Sequence, residues 1–242
     1  MDQIYLSIII PAFRSATVLE KNLPELLSWM KNQSFVSEVI IVNDGSNDFG
    51  ATQQVAQNFN CNYLELAKNR GKGAAVRAGM KTAKGQFRIF TDSDIPFECS
   101  VLNKFVHYLA DKEFDLAVGD RGLEDSDYFS KISGQRRFGS GFFTFLVGRF
   151  VTTGFSDTQC GLKGFRAEVA DDLFDVGRVN GFAFDVELIY IALKRNYDIK
   201  KLPVQLRSQD GGSVSVLRHG WRMVLDLFLI KWNHIKGYYK KK

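Results

Sequence analysis

Two unbroken β-branched runs, Ile8-Ile9-Ile10 and Val39-Ile40-Ile41-Val42, constrain this chain more than any other feature. A strand that is apolar at every position is buried on both faces, which requires a parallel sheet covered by helices on each side. Each run ends abruptly in polar residues: Phe13-Arg14-Ser15 after the first and Asn43-Asp44-Gly45-Ser46 after the second. Open α/β sheets bind their ligands at the carboxyl ends of such strands, so these short polar segments are where chemistry is expected.

Reading onward by periodicity predicts strands over 5–11, 38–43, 62–66, 87–91 and 115–119, separated by helices over 16–32, 51–58, 73–84 and 101–111. The second half is less regular. Residues 126–151 carry a helical pattern interrupted by Gly134, Gly139, Gly141 and Gly148, with an aromatic section Phe142-Phe143-Thr144-Phe145-Leu146. A helix over 184–195 and a strand over 199–206 follow. Beyond the turn Gln209-Asp210-Gly211-Gly212, a helix over 217–235 places Leu217, Trp221, Val224, Leu225, Phe228 and Trp232 on a 3.6-residue period, with Arg218, Arg222 and Asp226 on another face.

At 242 residues the chain supports one substantial core, and a formal charge of +5 suits an anionic ligand or surface. Charge alone does not separate nucleic acid from other anions, but no aromatic-basic ladder or nucleic-acid motif accompanies it, so no specific nucleic acid is expected. Cys61, Cys99 and Cys160 are scattered and odd in number, which fits a reducing compartment. The first strand begins with no basic segment ahead of it, and no apolar run spans a bilayer, so the expected location is cytoplasmic. His107, His219 and His234 are too dispersed for a metal cluster and are read as structural.

Asp92-Ser93-Asp94 is the sharpest chemical feature. Two carboxylates at a strand end can converge on one hard cation whose remaining ligands are phosphate oxygens, as Mg²⁺ or Mn²⁺ prefers. The same tripeptide is also an ordinary turn or helix cap. Asp44, in Val42-Asn43-Asp44-Gly45-Ser46, stands where it could accept a hydrogen bond from a base or ribose, though Asn-Asp-Gly is equally a turn signal. Asn69-Arg70-Gly71-Lys72-Gly73 opens the third helix with two glycines and two cations, a plausible anion edge without P-loop spacing.

Together these segments resemble glycosyltransferase family 2, the inverting transferases that use nucleotide-diphospho-sugars. The resemblance covers roughly residues 4–215. It implies a Rossmann-like, mostly parallel α/β sheet with helices on both faces. It further implies a nucleobase contact at Pro11, Ala12 and Phe13, a nucleoside contact at Asp44, a basic turn at Gly71 and Lys72, and a metal-binding Asp92-Ser93-Asp94. Within the family the chain is most similar to the dolichyl- and polyprenyl-phosphate glycosyltransferases. That similarity rests on Gly119-Asp120-Arg121, on Arg136 with Ser140, on Asp157-Thr158-Gln159-Cys160-Gly161-Leu162-Lys163 and on Phe182-Ala183-Phe184-Asp185-Val186-Glu187. The Asp157 segment looks more like the glucosyl than the mannosyl branch, which favours UDP-glucose over GDP-mannose as donor.

Three departures stand out. Arg14-Ser15 replaces the usual Asn-Glu, Pro96 replaces a Gln that follows the metal aspartates in mannosyl enzymes, and Gly211-Gly212-Ser213-Val214 lacks the usual lysine. The second departure leaves Glu98 or water to complete a metal shell. The resemblance implies a transferase domain over 1–213, with a nucleotide-sugar half over 1–120 and an acceptor half over 121–213, then an amphipathic helix and basic tail over 214–242.

A phosphate monoester acceptor is already anionic and needs positive charge rather than a base, so Arg121, Arg136 and Ser140, with Arg207 or Arg218, are the candidates to hold it. A hydroxyl acceptor would instead need a carboxylate base, for which Asp157, Asp185 and Glu187 are candidates. The helix over 217–235 and the final Lys240-Lys241-Lys242 describe an interfacial helix beside anionic lipid, or else a helix docked on the core. The expected function is transfer of a hexose from UDP-glucose to a polyprenyl phosphate at a membrane surface. The rivals are transfer to a saccharide in cell-surface polysaccharide synthesis and a non-catalytic nucleotide-sugar-binding adaptor. Nothing in the sequence sets the oligomeric state.

Overall fold

The computed structural model describes residues 3–123, 126, 155, 157–205 and 216–240, with side chains in the last helix from residue 222 onward. Its strands are β1 (Leu6–Ala12), β2 (Ser37–Asn43), β3 (Asn62–Glu65), β4 (Phe87–Phe90), β5 (Leu116–Asp120), β6 (Lys163–Arg166) and β7 (Ile199–Pro203). Its helices are α1 (Ala16–Lys31), α2 (Ala51–Asn58), α3 (Lys72–Thr82), α4 (Val101–Ala110), α5 (Ala167–Val176), α6 (Phe184–Lys194) and α7 (Val216–Ile235).

The strands form one seven-stranded sheet in the order β3-β2-β1-β4-β6-β5-β7. Both β-branched runs lie in interior strands, and Ile9 of β1 faces Ile40 of β2 on one side and Phe90 of β4 on the other. Alternate residues of the same strand feed opposite faces. Ile9, Ile40 and Val42 pack with α3, α5, α6 and the Leu227 and Ile230 side of α7. Ile8, Ile10, Val39 and Ile41 pack with α1 and α4. Each such fully buried side chain contributes roughly 1.5–3 kcal/mol, so truncation at Ile9 would strike both the sheet and α3.

The first-half elements match their sequence expectations to within about two residues, the usual blur of helix and strand ends. β6 and α5 were not anticipated. β6 reads Lys163-Gly164-Phe165-Arg166, too charged and short for a strand signal, yet it inserts antiparallel between β4 and β5. α5 buries Val169, Ala170, Leu173 and Phe174 on one stripe and is tied to β4 by Arg88, whose Nη1 donates to Asp171 Oδ1 at 2.5 Å. The helix expected over 126–151 lies outside the described residues, Ser126 excepted.

The C-terminal helix corrects the expected stripe. Leu227, Ile230 and Asn233 face the protein, while Leu225, Phe228, Leu229, Trp232 and Ile235 are exposed. α7 is therefore apolar on two sides, one docked and one open.

Candidate active site

β1 pairs in parallel with both β2 and β4, so all three carboxyl ends reach one rim. The chain runs outward from β1 through β2 to β3 and then crosses back to β4 on the other side of β1, and this reversal of strand order opens a crevice outside the strand ends. Asp92, Ser93 and Asp94 leave β4 there, and Lys72 arrives as the first residue of α3.

Lys72 Nζ lies 2.5 Å from Asp92 Oδ1. The lysine is largely buried and its ammonium rides 5.9 Å from the centroid of the Phe184 ring. Burial by itself would lower the Lys72 pKa, but the Asp92 and Asp185 carboxylates outweigh it and hold the ammonium above its ordinary value. Partial loss of hydration, then the charge of Asp92, lifts Asp94 above the usual carboxylate range. A pair of like charges that resists full ionisation is what a hard cation relieves.

Asp92 also fits tightly against Gly161, where a Cβ would stand 1.9 Å from Asp92 Oδ2. Only glycine at 161 lets the carboxylate occupy this place. The two aspartates fit Mg²⁺ or Mn²⁺, whose shell substrate phosphates and water would complete. Among the described residues no third carboxylate, thiol or imidazole is grouped with them, so of the two alternatives, Glu98 or water, the geometry favours water. Glu98 stands exposed, with its carbonyl accepting the Val101 N–H at the start of α4.

Asp44 is buried, and its Oδ1 and Oδ2 accept the backbone N–H groups of Arg70 and Gly71, each at 2.8 Å. It thereby clamps the glycine-rich turn, while each oxygen keeps a further lone pair for a base or ribose. Gly71 has φ +100, and a Cβ there would meet the Asn180 carbonyl at 2.5 Å, so no other residue fits. Asn43 Oδ1 accepts the Ser46 N–H at 3.0 Å and Ser46 Oγ accepts the Arg14 N–H at 2.8 Å, stitching the ends of β2 and β1 together. Phe13 is exposed at that seam with the Arg14 guanidinium 5.3 Å from its ring centroid. Pro11 and Ala12, expected to touch a nucleobase, are buried within β1 and paired to β2. Of the three, Phe13 alone presents its side chain to solvent.

Arg121 and Asp157 form a fork: Arg121 Nε donates to Asp157 Oδ2 at 2.6 Å and Nη2 to Oδ1 at 2.8 Å. Burial would raise the Asp157 carboxyl, but the Arg121 hydrogen bonds and charge more than reverse this and hold it below its ordinary value. Lys163 and Asp185 form a second pair, Nζ to Oδ1 at 2.6 Å, both buried, with Nζ also donating to the Cys160 carbonyl at 2.7 Å. Burial pushes Asp185 upward while Lys163 and Lys72 pull it down.

Glu187 is enclosed by the Arg178 and Val179 N–H groups and the Tyr239 hydroxyl. The three carboxylates considered as bases for a hydroxyl acceptor are thus engaged with protein donors. Arg136, Ser140 and Arg207 lie outside the described residues, as does the Arg218 side chain. Arg77 and Asn180 carry no motif signal in the sequence, Tyr239 stands there only within the basic tail, and Lys163 closes the Asp157-to-Lys163 motif without an assigned role.

The chain is similar to proteins already known. Dolichyl-phosphate beta-glucosyltransferase of Drosophila melanogaster is 34% identical over 249 residues, covering 96% of this chain and 76% of that protein. The Dictyostelium discoideum protein of the same name is 30% identical over 258 residues, covering 100% and 78%. Glucosyl-3-phosphoglycerate synthase from Mycobacterium tuberculosis, crystallised with UDP, superposes with a TM-score of 0.72 at 16% identity, covering 94% of this chain and 80% of that one. That likeness establishes the shared fold. The profile of Glycosyl transferase family 2 matches residues 7–174, which takes in both the Asp92-Ser93-Asp94 rim and the Asp157-to-Lys163 segment, and the chain belongs to that family.

Proposed function

We propose that this chain transfers glucose from UDP-glucose to a polyprenyl phosphate, with inversion at the sugar, while bound peripherally at the cytoplasmic face of a membrane. The observation that carries the reading is the Lys72–Asp92 contact at the strand-end crevice, with Asp94 beside it. Relatives named dolichyl-phosphate beta-glucosyltransferase, aligned along nearly the whole chain, support the choice of sugar and acceptor.

The acceptor phosphate oxygen attacks C1 of glucose, the C1–O bond to the diphosphate breaks, and UDP departs with the electron pair. Displacement from the opposite face turns the α linkage of the donor into a β linkage. A divalent cation held by Asp92 and Asp94 would act as Lewis acid toward the charge gathering on UDP. Lys72 would donate to the same diphosphate from the N-terminus of α3, where the helix dipole also favours an anion. Asp44 fixes that turn, and Phe13 offers its ring to the base. Because the acceptor oxygen is anionic, no protein base is needed, in keeping with the engagement of Asp157, Asp185 and Glu187 by protein donors.

No helix among the described residues is long and apolar enough to cross a membrane. The open side of α7, with Phe228 63%, Trp232 57% and Ile235 76% exposed beside Lys231 and Lys236, suits an anionic lipid surface. The test is turnover of UDP-glucose with Mg²⁺ or Mn²⁺ and a short polyprenyl phosphate in detergent, following UDP release and glucose on lipid. Turnover with a saccharide and refusal of every lipid phosphate would overturn the reading.

A further inference from the structure

Glu187 sits on α6, buried, and collects hydrogen bonds from three directions. The Arg178 N–H reaches its two oxygens at 3.0 and 2.9 Å, the Val179 N–H reaches Oε2 at 2.8 Å, and the Tyr239 hydroxyl donates to Oε1 at 2.5 Å. The segment it holds is the seat of the glycine-rich turn. Arg77 Nη2 donates to the Val179 carbonyl at 2.9 Å and Nη1 to Asn180 Oδ1 at 2.8 Å, while the Gly73 N–H donates to the Asn180 carbonyl at 2.8 Å. There is no slack in this seat: a Cβ on Gly73 would lie 2.7 Å from the Val179 carbonyl oxygen and 2.6 Å from Phe184 Cβ. Residues 178–180 therefore fix where α3 begins, and α3 begins with Lys72.

Tyr239 comes from beyond α7, 52 residues after Glu187 in sequence. It is held in turn by Asn233 Nδ2, 3.3 Å from its hydroxyl, and by Arg195 Nη2, 2.9 Å from its carbonyl. Tyr238 beside it stacks under the Arg178 guanidinium at 4.0 Å, a second contact from the tail to the same segment. A buried carboxylate that loses one of its donors must gain a proton or shift toward water, and either change loosens the amides it holds. Shifts of about an ångström in a positioning group cost reactions dearly.

We propose that the C-terminal tail is part of the donor site: Tyr239, through Glu187 and the 178–180 segment, positions the Gly71-Lys72-Gly73 turn. Both are positioning residues, and the functional consequence rests on the reading of Lys72 as a contact of the donor diphosphate.

The experiment compares Tyr239→Phe with Tyr197→Phe. Tyr197 also donates to a carboxylate, Asp172 Oδ2 at 2.6 Å, and joins α5 to the end of α6. Amide exchange of the peptide covering residues 69–76 reads the position of the turn without any ligand, UDP titration reads its function, and melting temperature reads general stability. Tyr239→Phe is expected to speed exchange there and weaken UDP binding roughly tenfold. Tyr197→Phe should leave both within about twofold at a similar loss of melting temperature. Glu187→Gln, which keeps the side-chain shape, should repeat the Tyr239→Phe signature. Equal behaviour of the two tyrosine variants, or unchanged exchange in Tyr239→Phe, overturns the proposal. If the wild-type chain bound no UDP while exchange still responded to Tyr239 alone, the donor reading would fail and the positioning role would stand.

Discussion

Lys72 Nζ and Asp92 Oδ1 meet at 2.5 Å, joining the first residue of α3 to the residue that follows β4 and its Thr91. This single contact brings the cation that would hold a diphosphate to the carboxylate that would hold its metal. Replacing Lys72 by Ala should raise the KM for UDP-glucose and lower kcat/KM by roughly 10²–10³, the usual cost of removing one preorganised electrostatic donor. Lys72→Arg should recover part of the loss, because the charge stays but the fork is bulkier than the ammonium. Steady-state UDP release measures both, and a kcat/KM for Lys72→Ala within a factor of two of wild type would remove Lys72 from the site.

Asp94→Asn should abolish transfer by several kcal/mol, on the order of 10³-fold or more, with little change in melting temperature since Asp94 is exposed. Chelation of divalent metal should have the same effect on the wild-type chain, with recovery on adding Mn²⁺ or Mg²⁺. Activity that survives chelation would count against a metal at this pair.

Gly161→Ala tests the fit of Asp92 by steric means, since the new methyl would stand 1.9 Å from its Oδ2. Displacing the carboxylate by about an ångström should cost on the order of 10²-fold in turnover. Folding should largely persist, which circular dichroism and thermal melts would verify. Full activity in this variant would mean that Asp92 is free to sit elsewhere.

Acid should uncouple Arg121 from Asp157. The folded-state pKa of Asp157 lies below its ordinary 3.8, so the unfolded chain takes up the proton first as pH falls. The stabilisation is complete above that ordinary value and is lost as pH drops through the lower folded value. Asp157→Asn should therefore be less stable than wild type at neutral pH by about 2 kcal/mol, with the gap closing in strong acid. Chemical denaturation across pH measures it, and a gap independent of pH would refute the pairing.

Replacing Phe228 and Trp232 by Ser should reduce sedimentation with anionic vesicles, each aromatic contributing on the order of 1–2 kcal/mol if it enters the interface. Unchanged sedimentation would direct attention to another surface.

The elements of the first half, the two-layer covering of the sheet and the rim position of Asp92 and Asp94 were legible in the residue pattern. The period of apolar residues and the polar ends of Ile8-Ile9-Ile10 and Val39-Ile40-Ile41-Val42 are local properties, and local properties survive in sequence. The family motifs carried the rest of that reading, because their residues sit close together in the chain.

Partnership was decided only by the fold. Asp44 reads as a nucleoside ligand or a turn, yet it clamps amides 26 and 27 residues away. Glu187 reads as a base or a helix charge, yet it anchors the tail at Tyr239. The stripe holding Leu225, Phe228 and Trp232 reads as either a lipid-facing or a docked face; these residues stay exposed, while Leu227 and Ile230 join the core on the side toward α6. Lys163 became a core residue because β6 entered the sheet antiparallel and brought it to Asp185. Hydrophobic period and turn chemistry are set by neighbours in the chain, whereas the partner of a buried charge and the outward face of a helix apolar on two sides depend on which distant segment reaches them first in space.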